Sequence, residues 1–237
     1  MGGGGFTFKQ FHIDHSRCAM KVGTDGVLIG AWCRLPLSGR ILDIGTGTGL
    51  IAVMAAQRAS GCMVTGIDID AECVAQARDN AASSPWGGRI GIEQCALQEF
   101  FPTHRFDAIV SNPPYFEESL LPPDARRTAA RHTRSLTYAE LVDGVVRLLD
   151  AEGRFSLILP AAESERFLSA AHGVLFLTRR CDVRTTPGSG VRRVMMEFAV
   201  SVPKLLLQIE SLSIEDGGPM RYSGEYRALT RDFYLKF

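Results

Sequence analysis

Between residues 40 and 204, apolar segments of strand length alternate with segments carrying helical spacing, and this alternation constrains the fold more than any other feature. Residues 40–44 (RILDI), 63–67, 89–95, 106–111 (FDAIVS) and 154–159 (RFSLIL) read as strands. Residues 49–59, 71–82, 137–149 and 163–172 read as helices, and in the second Val74, Ala77 and Ala81 recur at helical spacing. Strands separated by helices are joined by crossovers, which gives a mostly parallel sheet with helices on both faces, an α/β fold of Rossmann-like type. Two further strands are expected near 175–184 and 191–202. Pro187-Gly188-Ser189-Gly190 between them predicts a hairpin, and so an antiparallel pair.

The flanks are less regular. Residues 6–13 mix aromatic and polar side chains and read as one short edge strand. Residues 20–30 (MKVGTDGVLIG) read as a loop entering a short helix, with Thr24 or Asp25 as its N-cap. Residues 205–237 add an apolar strand-like stretch and a final helix or extended tail, and Met1-Gly2-Gly3-Gly4-Gly5 reads as a flexible tail. We therefore expect one domain over 6–237, made of an N-terminal segment (6–39), a core (40–204) and a C-terminal extension (205–237).

Composition excludes several classes. The 26 basic and 26 acidic residues cancel, so a non-specific, charge-driven grip on nucleic acid is not implied by the totals. Six scattered cysteines without a C-x-x-C pair read as reduced thiols of a cytoplasmic protein. No apolar run reaches about 18 residues, so no membrane span is expected. His12, His15 and Cys18 lie close together, but their spacing is unusual and a fourth ligand is missing, so no metal is expected. Trp32 and Trp86 read as packing residues, and His104 and His172 as surface residues.

The first candidate site is Asp43-Ile44-Gly45-Thr46-Gly47-Thr48-Gly49, which follows the first strand of the alternation and opens a helix. Glycines there let the backbone turn sharply and let a ligand approach main-chain N–H groups. Ligands of open α/β sheets bind at the carboxyl ends of strands, where this loop lies. Asp68, 23 residues after Gly45, ends the second strand and can accept hydrogen bonds from both hydroxyls of a ribose. Loop and acid together point to a nucleoside cofactor. Gly47-x-Gly49-x-x-Ala52 also fits a dinucleotide fingerprint, but a carboxylate at Asp43 repels a pyrophosphate and suits the cationic amino-acid end of S-adenosylmethionine. The third strand ends at Gln94-Cys95-Ala96-Leu97, where an adenine ring would lie.

The second is Asn112-Pro113-Pro114-Tyr115, directly after the fourth strand. Two prolines stiffen the turn and contribute no N–H, so oxygen acceptors dominate it. The Asn112 side-chain oxygen and the Pro113 carbonyl suit an amino group that offers two protons. An exocyclic amine on adenine is a poor nucleophile because its lone pair is delocalised into the ring. Two acceptors on its hydrogens draw the nitrogen toward a tetrahedral form and stabilise the charge that develops as a methyl group arrives. Tyr115 and Phe116 can stack on a flat base turned out of its helix.

These motifs resemble the class I methyltransferases that act on planar amino groups, and more closely the bacterial tRNA(Val) adenine-37 N6-methyltransferase family. The resemblance rests on residues 20–26 (MKVGTDG), 43–49, Asp68-Ile69-Asp70 and Asn112-Pro113-Pro114-Tyr115-Phe116. It extends to Ala130-Arg131-His132 and to residues 222–226 and 232–236, nearly the whole chain. It implies a seven-stranded sheet with the last strand antiparallel, S-adenosylmethionine as cofactor, and an adenine in tRNA as acceptor. It also implies that Lys21, Thr24 and Asp25 sit by the cofactor, with Asp43, Gly45, Thr46, Gly47, Gly49, Asp68, Ile69, Ala96 and Asn112. A monomer is favoured.

Arg126, Arg127, Arg131, His132 and Arg134 crowd the loop after the tetrapeptide and read as contacts to the phosphates of a folded RNA. Arg179, Arg180, Arg184, Arg192 and Arg193 form a second basic group, which reads equally as an RNA rim or as a solvated surface. Two alternatives stay open at the level of sequence: methylation of a protein glutamine amide by the same tetrapeptide, and a non-catalytic module that binds S-adenosylmethionine or RNA.

Overall fold

The computed structural model describes residues 4–113 and 136–236. In chain order its strands are β1 (Gly5–Thr7), β2 (His12–Asp14), β3 (Ser38–Ile44), β4 (Gly61–Asp68), β5 (Ile90–Gln94), β6 (Phe106–Ser111), β7 (Leu149–Pro160), β8 (Phe176–Arg184), β9 (Val191–Ala199) and β10 (Gln208–Ser213). Its helices are α1 (Thr24–Trp32), α2 (Leu50–Arg58), α3 (Ala71–Ser83), α4 (Tyr138–Leu148), α5 (Ala161–Ala171) and α6 (Gly224–Thr230).

The main sheet has the order β10-β8-β9-β7-β6-β3-β4-β5. Every neighbouring pair is parallel except those of β9, which runs antiparallel to both β7 and β8. Strands β3 to β9 are thus the expected mostly parallel sheet with an antiparallel final strand. The C-terminal extension adds an eighth strand, β10, parallel to β8, followed by α6. At the centre, Ile41, Leu42, Ala108, Ile109 and Val110 are fully buried. Burial on both faces is why these segments are continuous apolar runs rather than alternating ones.

Helices α4 and α5 cover one face, where Leu141, Val145 and Phe167 pack against Phe155, Leu157 and Phe198 of the sheet. A capping box between Thr137 and Glu140 fixes the start of α4. On the other face, α2 is buried from Leu50 to Ala56 between α1, α3 and the sheet, so it shows no polar side. Gly26 and Gly30, one turn apart on α1, permit that contact: a Cβ at Gly30 would lie 2.8 Å from the Met54 sulfur.

Three expectations are corrected. Residues 6–13 do not form an edge strand of the main sheet; β1 and β2 pair antiparallel as a separate hairpin. Gly5, expected in the flexible tail, is part of that hairpin and pairs with Asp14. Neither Thr24 nor Asp25 caps α1; both lie within the helix, and Gly23, which has no side chain to bond, occupies the N-cap.

The second basic group is divided by the fold. Arg179 lies in the interior with its guanidinium 3.6 Å from the centre of the Trp32 ring, and it donates to the Trp32 carbonyl at 2.7 Å. It faces the fully buried Glu197 at 3.7 Å. Arg180 pairs with Asp182 at 2.8 Å and Glu165 at 3.4 Å. These two arginines serve the protein's own carboxylates rather than an RNA rim. All six cysteines are free thiols. His12 pairs with the Thr7 hydroxyl, and His15 accepts from the Val22 N–H. Among the described residues no helix is long and apolar enough to cross a membrane.

Candidate active site

The glycine loop leaves β3 and turns into α2 at the carboxyl edge of the sheet. Gly45, Gly47 and Gly49 all have positive φ (70°, 52° and 79°), a region that L side chains rarely occupy. The reasons differ between them. A Cβ at Gly45 or Gly47 would meet nothing within 4 Å, so these two leave an open cradle beside exposed backbone. A Cβ at Gly49 would lie 3.2 Å from Ala77 Cβ, so this glycine serves the close packing of α2 on α3. The N–H groups of Gly45 and Thr46 both donate to the Ile67 carbonyl at 3.0 Å, which ties the loop to the end of β4.

Asp68 stands at that end. One carboxylate oxygen accepts the Gly47 N–H at 2.8 Å and the other accepts the Asp70 N–H at 3.0 Å. Asp70 caps α3 through the N–H groups of Glu72 and Cys73. A carboxylate has about four lone-pair sites, so Asp68 keeps acceptor capacity for a ligand's hydroxyls. Ile69 beside it is exposed, and Cys95 donates to the Asp68 carbonyl at 3.0 Å, which brings Ala96 to the same spot.

Asp43 takes a different place from the one the sequence implied. It is fully buried beneath the loop and accepts from the Thr46 hydroxyl at 2.6 Å, while its other oxygen has no partner among the described residues. Burial pushes its carboxyl up to about 7, partly offset by the Thr46 hydrogen bond and reinforced by the charge of Asp68.

A cleft of about 410 Å³ opens beside the loop. Lys21, Thr24, Asp25, Gly45, Thr46, Gly47 and Asn112 all line it, together with the apolar side chains of Met20, Val22, Leu50 and Ile51. Asp43, Gly49, Asp68, Ile69 and Ala96 are not part of its lining, although Asp68 is bonded to Gly47, which is. Asn112 follows β6, and its side-chain oxygen is buried without a donor among the described residues. Pro113 is buried. Pro114, Tyr115, Phe116, Arg126, Arg127, Arg131, His132 and Arg134 lie outside the described residues.

The cleft also holds a residue that sequence reasoning placed only in the second basic group. Arg193 lines it and donates to Asp25 at 2.7 Å. No local signal marks this pair, because its members are separated by 168 residues.

Comparison with known proteins places this geometry. A family model, the methyltransferase small domain, matches residues 21–159. The tRNA1(Val) (adenine(37)-N6)-methyltransferase of Phocaeicola vulgatus is 50% identical over 97% of both chains. The chain belongs to that family. The protein of the same name from Dickeya chrysanthemi is 45% identical over 98% of this chain and 94% of its own length. Among solved structures, a predicted O-methyltransferase from Agrobacterium tumefaciens is similar over 88% of this chain and 96% of that chain. Its TM-score is 0.69 at 18% identity, a likeness of fold. A glycopeptide N-methyltransferase solved with sinefungin shares the fold at a TM-score of 0.52 and 15% identity, over 70% of this chain and 81% of its own.

The protein is therefore an S-adenosylmethionine-dependent methyltransferase. Its residues fit that cofactor on structural grounds. Open backbone at Gly45 and Gly47 makes a cradle, Asp68 offers a carboxylate beside it, and a buried acceptor waits at Asn112.

Proposed function

We propose that this methyltransferase transfers the methyl group of S-adenosylmethionine to the N6 amine of adenine 37 in a valine tRNA, in the cytoplasm. Near-full-length identity of 50% to a protein of that name supports the acceptor. The observation that carries the chemistry is the Asn112 side-chain oxygen at the end of β6, which lines the cleft and is buried without a donor among the described residues.

In this reading the backbone of Gly45, Thr46 and Gly47 cradles the cofactor, with Gly49 holding the loop's far end. Asp68 takes the ribose hydroxyls, and Ile69 and Ala96 flank the adenine. Lys21, Thr24 and Asp25 border the amino-acid end, and Asp43 braces the loop from below through Thr46. S-adenosylmethionine supplies an electrophilic methyl on a sulfonium. Asn112 Oδ1 and the Pro113 carbonyl accept the two hydrogens of the target amine, so that its lone pair faces the methyl. Bound there, the cofactor would supply the methyl group and would be left as a neutral thioether. The methylated nitrogen then loses one proton to solvent, so no strong general base is required. Pro114 stiffens the turn, and Tyr115 and Phe116 stack on the base. Arg126, Arg127, Arg131, His132 and Arg134 meet RNA phosphates.

Incubation with labelled S-adenosylmethionine and unmodified bulk tRNA tests this. Label is expected in tRNA, as N6-methyladenine on nucleoside digestion. A protein that binds the cofactor but leaves tRNA unlabelled removes the proposal, and label in a glutamine of a protein substrate replaces it with the amide reading.

A further inference from the structure

Arg193 lies near the start of β9, and its side chain reaches the wall of the cofactor cleft. Its Nε donates to an Asp25 carboxylate oxygen at 2.7 Å, and its Nη1 donates to the Arg192 carbonyl at 3.1 Å. The two side chains are 30% and 22% exposed, so the pair is partly shielded from water. Asp25 belongs to the first turn of α1, whose N-cap is a glycine with no side chain to anchor the turn. Residues 20–26, the glycine loop and Asn112 all line the cleft. Arg193 stands opposite Pro160 at the end of β7, on a strand two removed from β6, which carries Asn112. The ion pair therefore joins the first turn of α1 to β9 at the edge of the cleft.

We infer that Arg193 is a positioning residue, which through Asp25 holds the first turn of α1 against the sheet so that the cleft walls meet the cofactor in one geometry. This rests on reading the cleft as the S-adenosylmethionine site. Without Arg193, Asp25 loses this ion pair and the first turn of α1 loses its tie to β9. An arginine suits the task better than a lysine because its planar fork bonds the carboxylate and the strand's own carbonyl together. Neither residue is required to touch the transferred methyl. Losing the pair removes binding that is equal in the ground and transition states, which raises KM and leaves kcat.

The experiment compares Arg193→Gln, Arg193→Lys, Asp25→Asn and the double variant Arg193→Gln/Asp25→Asn. S-adenosylmethionine affinity is read by calorimetry without RNA, and steady-state constants with bulk tRNA. For Arg193→Gln the cofactor KM and dissociation constant are expected to rise roughly five- to tenfold, with kcat at saturation within about twofold. Arg193→Lys should recover part of the loss. The double variant should be no weaker than the weaker single one, because one interaction is lost only once. An unchanged cofactor constant in Arg193→Gln overturns the inference, as does simple additivity in the double variant. A wild type that binds the cofactor but labels no tRNA removes the tRNA reading instead, and the calorimetric comparison still decides the role of Arg193.

Discussion

Asn80 and Thr48 are joined by a hydrogen bond of 2.8 Å, from the Asn80 carboxamide on α3 to the Thr48 carbonyl in the glycine loop. The same carboxamide donates to the Asp14 carbonyl at 2.8 Å and accepts the Asp14 N–H at 3.0 Å. One buried side chain thus fastens the cofactor loop, α3 and the N-terminal hairpin to one another, with both of its donors and its acceptor in use. The hairpin is held from its other side by the end of the chain, where the Phe233 carbonyl accepts the Lys9 N–H at 2.8 Å.

Asn80→Ala strands a buried donor and two acceptors. Unfolding free energy should fall by about 2 kcal/mol, the scale of buried polar groups left unpaired. Cofactor affinity should fall with it. Urea denaturation checks the first, and an unchanged midpoint would show that the three bonds do not anchor the loop.

Asp43 should make stability depend on pH. Its carboxyl is raised from 3.8 to about 7 by burial, so the folded protein keeps a proton that the unfolded chain has released. In that window the native state binds more protons than the unfolded one, and stability falls as pH rises. The contribution is complete below about pH 4 and is lost as pH passes through 7. Asp43→Asn keeps an acceptor for Thr46 without the charge, so its advantage over the wild type should be larger at pH 8 than at pH 5. Equal differences at the two pH values contradict this placement of the proton.

Asn112→Ala should separate binding from chemistry. The protein should keep its fold and much of its cofactor affinity, while kcat falls by about 10²- to 10³-fold, the usual cost of one group that stabilises developing charge. Single-turnover transfer to tRNA measures it. A variant within a few fold of wild type would remove Asn112 from the reaction.

Arg179→Leu tests the division of the basic group. Removing the cation leaves Glu197 buried with weaker compensation from Arg34 at 3.5 Å and Thr178, so stability should fall by about 3 kcal/mol. The tRNA KM of the folded fraction should not change. A raised tRNA KM at wild-type stability would return Arg179 to the RNA surface.

Much of the core was legible because its signals are local. The strand at 106–111 has the same limits in the fold, the helix expected at 71–82 runs one residue further, and the helix expected at 137–149 is one residue shorter at each end. The strand at 154–159 is longer in the fold because β7 begins at Leu149, which pairs with Phe106 of β6 before a break in register, and the regular pairing resumes at Arg154. The hairpin at 5–14 was missed because its two three-residue strands are too brief to show a period of two.

By itself, the sequence determined the alternation of strand and helix, the glycine turn after β3 with Asp68 at the end of β4, and the acceptor-rich turn after β6. Each depends on neighbours a few residues apart, where backbone preference and side-chain spacing act directly. Only the tertiary structure decided that Asp43 lies under the loop, that Arg179 is interior while Arg193 reaches the cleft, and that Asn80 binds loop to hairpin. Those assignments depend on burial and on partners 32 to 168 residues away, and such contacts leave no periodicity along the chain.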